Sequence, residues 1–352
     1  MTPISLLLLA FLFRPAEKSA PLTVPEPVST WELAFQSNRS LLRENGESLV
    51  FRGAGVFIFD AKGNPLVNYT LAFEPVWAFL GPEQKLWVHD GKQRLGRVDD
   101  RGDFTWQQEV PPPTLAPVVF GDSMVYVRDA LLELRDAQAG VAEYSSSRPS
   151  TIAHTEPWGD RILIAQENGE IMLWNPAKEN KRIFLEPKQR ILQAVSLGPG
   201  GEWALAYRGG NLTILSNART QQWSREFYID INTKPLWLTQ NFAKRTRDLL
   251  VVATQGRRLY AYGPRGRQLK ALRLKGRPMA LVRWSDHACL LVPSLTEDII
   301  YFDSNRNQVA RQNLGEAQSQ VIEAGDWLLL VSSNGIMRLY NRGMDQTRAS
   351  EE

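Results

Sequence analysis

One short pattern recurs along the whole chain at nearly constant spacing, and no other feature limits the fold as strongly. Alternating apolar and polar residues lead to an apolar or aromatic residue, then to Asp or Asn and a turn. The copies read VFIFD ending at Asp60, LGRVD at Asp99, LLELRD at Asp136 and IMLWN at Asn175. They continue as LTILSN at Asn217, LYAYG at Gly263, IIYFD at Asp303 and MRLYN at Asn341. Successive anchors are 39, 37, 39, 42, 46, 40 and 38 residues apart. A period of about 40 residues held through so many copies specifies a repeat architecture.

Each copy has the same internal grammar. A strand precedes the anchor strand across a tight turn, as in SLVFRG before VFIFD and WLLLVSS before IMRLYN. The connecting turns AG, ENG, GGN, QG and NG supply the positive φ that short hairpins need. Another strand follows the anchor turn (PLVNYTL, FTWQQEV, VAEYSSS, QLKALRL), and one more leads into the next copy (EPVWAF, TLAPVVF, PMALVRW). Four short antiparallel strands per period make a propeller blade. No window holds an apolar stripe at helical spacing beyond two turns. The expected fold is an all-β, eight-bladed β-propeller; seven blades with an extra hairpin is the alternative count.

The ends of the chain suggest how the ring closes. The eighth copy supplies two strands ending near Arg342, whereas Thr30–Gln36 (TWELAFQ) is an orphan in the style of an outer strand. Pairing the orphan with the last copy completes blade eight and removes the exposed edges. Residues 30–343 form the propeller on this reading, with a linker at 21–29 and a polar tail at 344–352. Residues 1–20 contain the ten-residue, mostly apolar run Ile4–Phe13, too short to span a bilayer but of the length of a signal-peptide core. The expectation is export to the periplasm or exterior, with an uncleaved anchor as the alternative. No cysteine lies near this segment, so it is not a lipoprotein signal.

After the anchor several copies place a glycine and then an aromatic: Asp136, Gly140 and Tyr144; Asp99, Gly102 and Trp106; and, more loosely, Asn217 and Trp223. This resembles the repeat of quinoprotein-type (PQQ-like) propellers over nearly the whole chain, without the Thr that precedes the glycine in that family. The family includes quinone-dependent dehydrogenases and non-catalytic propellers of the bacterial envelope, among them the scaffold subunit of the outer-membrane β-barrel assembly machinery. The resemblance to the second group implies protein binding and assembly. This chain lacks that subunit's lipidated N-terminal Cys. The dehydrogenases would need a second cysteine for a vicinal disulfide, and only Cys289 is present. WD40 propellers share the period, but their Gly-His and Trp-Asp signatures are missing from the copies.

Candidate chemistry is sparse. His89, His154 and His287 are far apart, and none has a second ligand at metal spacing. Ser285, Asp286 and His287 are consecutive and point in different directions, which a catalytic triad does not allow. Arg101, Gly102 and Asp103 match an adhesion tripeptide but fall at an expected turn. Glycosylation-type triplets begin at Asn38, Asn68 and Asn211. Cys289 lies in an apolar run and reads as a small buried hydrophobe. The expectation is a non-enzyme with no cofactor and no metal.

The net charge is only +3, yet eleven basic residues against one acid lie between Lys244 and Arg277. Arg257, Arg258, Arg265, Arg267, Lys270 and Arg273 are the candidate contact residues. They suit two purposes equally: a field that attracts an acidic partner or anionic envelope surface, and protection of an outer strand edge. The expected partner is a protein of the envelope or an anionic envelope surface, not nucleic acid, with the chain a monomer inside a complex. A site in the central channel, binding a ligand or carrying out catalysis, is the alternative.

Overall fold

In a computed structural model, residues 22–37, 39–242 and 245–343 are described. The expected export segment within 1–20 and the tail at 344–352 lie outside them, as does Asn38.

The strands assemble into eight sheets of four, each antiparallel and each formed from consecutive strands except the last. Numbered in chain order, blade 1 covers 39–70, blade 2 77–109, blade 3 118–147, blade 4 152–185 and blade 5 192–226. Blade 6 covers 236–273, blade 7 278–313, and blade 8 318–341 together with Ser29–Glu32. The eight-bladed count holds, and seven blades with a spare hairpin is excluded.

The N-terminal strand closes the ring. Ser29 pairs with Leu339 and Trp31 with Met337, on the outer edge of blade 8. Val28 and Leu33 N–H groups extend the ladder by donating to Leu339 and Gly335 carbonyls. One detail differs from the sequence reading. The C-terminal copy contributes three strands, not two, because Gln318–Ala324 is its inner strand. Val24 is also buried, between blades 7 and 8.

The core is distributed around the ring. Each of the eight apolar clusters among the described residues joins two successive blades, and one of them joins blade 8 to blade 1. The second strand of a blade therefore has a neighbouring blade on both faces and buries nearly all of its residues instead of alternating. Trp203–Tyr207 and Ala288–Pro293 show this, whereas the outer strand Phe104–Glu109 alternates in exposure.

The anchors act as turn caps. Asp60 Oδ1 accepts the N–H groups of Lys62 and Asn64, and Asp99 Oδ1 those of Arg101 and Asp103. These are Asx turns, in which a short carboxylate replaces backbone acceptors. In blade 5 the capping residue is Ser216, one position before the expected Asn217; its Oγ contacts Thr220 Oγ1 at 2.8 Å.

The glycine and aromatic of one repeat do not meet each other. Trp106, on the outer strand of blade 2, covers Gly140 in the anchor turn of blade 3; a Cβ there would lie 2.4 Å from the indole. Trp106 Nε1 also donates to the Ala137 carbonyl at 3.1 Å. Tyr69 covers Gly102, Trp223 covers Gly266 and Trp31 covers Gly63 in the same way, each reaching into the next blade. Tyr144 instead packs against Trp174 of blade 4, with ring centroids 5.8 Å apart.

Candidate functional site

Antiparallel order divides the ring into two faces. The turns between second and third strands, and the connections between blades, open on one face, termed here the loop face. The turns between inner and second strands, and between third and outer strands, open on the other.

This geometry divides the six basic candidates. Arg257 sits in the second-to-third strand turn of blade 6, and Arg258 pairs directly across from Arg273 on the outer strand, so these three share the loop-face rim. Arg265 and Arg267 occupy the anchor turn around Pro264–Gly266, at the opposite end of the blade. A strand of five residues separates the two groups by roughly 14 Å at the usual rise per residue. Lys270 lies between them on the outer strand, with its Nζ bound to the Asn307 carbonyl of blade 7 at 2.6 Å. Lys244 lies outside the described residues.

The loop-face group is short of countercharge. Lys275 pairs with Asp298 at 2.6 Å. Among the described residues Arg257, Arg258, Arg273 and Arg277 have no ion pair. Arg258 opposite Arg273 is a like-charge pair that destabilises a sheet.

Apolar residues missed in the sequence flank this group. Leu295 is 89% exposed and Tyr228 85%, the highest values among the large hydrophobic side chains of the described residues. Tyr228 belongs to the connection from blade 5 to blade 6, and Leu295 to the second-to-third strand turn of blade 7. Hydrogen bonds join these loops into one arc: Gln255 N–H to the Asp230 carbonyl at 2.9 Å, Leu274 N–H to Arg257 at 2.8 Å and Ser294 N–H to Arg277 at 2.7 Å. Gly210 lets the connection pass, since a Cβ there would lie 2.1 Å from the Ile229 carbonyl oxygen.

Tyr228, Arg257 and Leu295 all have left-handed backbones, at φ of 56°, 58° and 56°. In the corresponding turns of blades 1, 4 and 8 the left-handed residue is Gly53, Gly169 or Gly335. A large side chain in that region costs about 1–2 kcal/mol relative to its preferred backbone. Arg257 and Leu295 thus stand, exposed, at turns where glycine is the cheaper residue. Beside them a 270 Å³ groove between blades 5 and 6 is lined by Arg225, Phe227, Arg258, Tyr260 and Tyr262. Burial raises the Tyr262 hydroxyl to about 12, with the nearby Arg225 charge acting the other way.

The other candidates are structural. His89 is fully buried; its Nε2 faces the Val110 carbonyl at 2.8 Å and its Nδ1 accepts the Gly91 N–H at 2.8 Å. His287 Nδ1 faces the Thr239 carbonyl at 2.7 Å, and Ser285 Oγ accepts the His287 backbone N–H, so no triad forms. The Arg101–Asp103 tripeptide is the anchor turn beneath Tyr69. Asn211 is buried and Asn68 is exposed on an outer strand. Cys289 is buried, and desolvation raises its thiol to about 12. No group of three His, Cys, Asp or Glu residues suited to a metal occurs among the described residues. Among the three histidines, His154 lines a 570 Å³ cavity at the inner rim of the loop face, with residues from blade 5 and the connection into blade 6.

No family model matches the chain, and no curated protein matches it by sequence. Solved structures match by shape. BamB from Moraxella catarrhalis aligns with TM-score 0.64 at 14% identity, covering 90% of this chain and 100% of that one. The dihydro-heme d1 dehydrogenase NirN in complex with DHE aligns with TM-score 0.60 at 13% identity, covering 96% and 85%. Sqt1 from Saccharomyces cerevisiae aligns with TM-score 0.60 at 11% identity, covering 91% and 99%. At such identities the likeness is one of architecture, and this chain is an eight-bladed β-propeller.

Proposed function

We propose that this chain is a non-catalytic, exported propeller that binds a partner protein in the bacterial cell envelope through the loop face of blades 5–7. The observation that carries this reading is the exposure of Leu295 and Tyr228, at left-handed positions, beside arginines with no countercharge. Tyrosine and arginine are enriched among the side chains that carry most interface energy, and an exposed leucine beside them adds apolar area that docking would remove from water. The charge selects a partner surface that presents acidic residues around an apolar centre. The apolar run Ile4–Phe13 and the likeness to BamB support the envelope setting.

Co-purification from native membranes tests this. The wild-type chain should recover a specific protein that is lost with the double variant Leu295→Asp, Arg257→Glu and retained with Arg265→Glu, Arg267→Glu on the opposite face. Equal recovery with both double variants would overturn the assignment of the loop face. Intact mass of the mature protein tests export separately, and retention of residues 1–20 would contradict a cleaved signal.

A further inference from the structure

The 570 Å³ cavity is a separate feature, since its residues are not those of the exposed arc. It lies where the inner strands of blades 4 and 5 meet the connection into blade 6. Six residues give it its chemistry: His154 and Glu156 from Ile152–Trp158, Gln193 from Leu192–Leu197, Arg208 from the second-to-third strand turn of blade 5, and Thr233 and Lys234 from the connection. Its volume lies within the range of small-molecule sites, about 300–1,000 Å³.

Glu156 is held from two sides, by an ion pair with Lys234 and by His154 Nε2 at 3.5 Å. Burial works against its ionisation, but the His154 imidazole and the Lys234 ammonium beside it outweigh that, so its pKa falls below the usual carboxylate value. Lys234 is paired with Glu156, so Arg208 is the one cavity-lining Lys or Arg without an acidic partner among the described residues.

Three side-chain atoms lining the cavity have no hydrogen-bond partner: His154 Nε2, Gln193 Oε1 and Thr233 Oγ1. Thr233 is only 5% exposed. Buried polar groups are almost always satisfied, so each such exception calls for an explanation, and a ligand or ordered water would supply it. The amide oxygen of Gln193 can only accept, which requires a hydroxyl or N–H from the occupant. A planar guanidinium recognises a carboxylate through two parallel hydrogen bonds.

We propose that this cavity binds a small hydroxylated carboxylate of the sugar-acid class, with Arg208 taking the carboxylate and Gln193 and Thr233 taking hydroxyls. No covalent step is involved. The site would make the propeller responsive to a solute independently of the protein that docks on its outer arc.

Isothermal titration of the full chain with D-glucuronate, D-gluconate and D-glucose tests this. A sugar acid should bind saturably with Kd of about 1 mM or tighter, and neutral glucose about tenfold more weakly or worse. Arg208→Ala should weaken sugar-acid binding by at least about tenfold, and Gln193→Leu by about threefold or more, with melting temperatures unchanged. If Arg208→Ala does not fold, Arg208→Lys, which keeps the charge and loses the fork, should still weaken binding. Absence of saturable binding by both acids, equal binding of glucose, or wild-type affinity in the folded Arg208 variant would overturn the proposal. Recovery of the partner protein by the Arg208 variant keeps this test distinct from that of the docking face.

Discussion

Trp31, in the first described strand, lies against Gly63 in the anchor turn of blade 1, so close that a Cβ on the glycine would sit 2.6 Å from the indole. Since Trp31 belongs to blade 8 through its pairing with Met337, this contact is where the two ends of the repeat array meet. It is the same aromatic-over-glycine packing that joins blades 2 and 3 through Trp106 and Gly140.

Gly63→Ala should therefore destabilise the ring by about 2 kcal/mol or more, from the left-handed backbone at φ 84° together with the overlap. Gly53→Ala, where a Cβ would meet nothing within 4 Å, should cost only the backbone part. Denaturant midpoints of the two variants compare them, and equal losses would show that the indole contact contributes nothing.

Leu295→Gly should separate stability from function. Removing a β-carbon from a left-handed residue relieves strain, so the melting temperature should stay level or rise by the equivalent of about 1 kcal/mol. Partner recovery should fall, because the exposed side chain is gone. Arg257→Gly should behave alike. A large drop in melting temperature for either variant would mean that these side chains pack against the fold.

Cys289 should be inert in the native state. With its thiol raised to about 12 by burial, almost no thiolate exists at pH 8, and a disulfide reagent should react only after denaturation. Rapid labelling of native protein would show that the interface of blades 6 and 7 opens readily.

Asp90 should make stability depend on pH. Burial opposes its ionisation, but hydrogen bonds from the Arg94 side chain and from the backbone of Arg94, Lys92 and Gln93 lower its pKa well below the usual value. A lowered folded-state pKa adds stability above the unfolded-state pKa of about 4, and that stability is lost as pH falls through the folded value. Asp90→Asn should thus melt below wild type at pH 7, with the difference shrinking below about pH 4. A difference that is constant over that range would assign the loss to shape alone.

What the chain alone determined is local. Asp60, Asp99 and the hairpin glycines set backbone angles within a few residues of themselves, so strand, turn and period could be read without the rest of the molecule. Closure by the N-terminal strand was legible for a related reason, although it pairs over Ser29–Glu32 and does not run on to Gln36: an outer-type strand with no blade of its own fits only an incomplete copy. Tertiary structure decided everything that depends on which blade lies beside which. Trp106 and Gly102 share a repeat yet contact different blades, because an outer-strand side chain reaches its neighbour's turn. Arg258 and Arg265 are seven positions apart, yet the strand between them sends them to opposite faces. Glu156, Gln193 and Lys234 are brought to one cavity by the curvature of the ring, and that curvature is summed over eight packed interfaces and written in no single repeat.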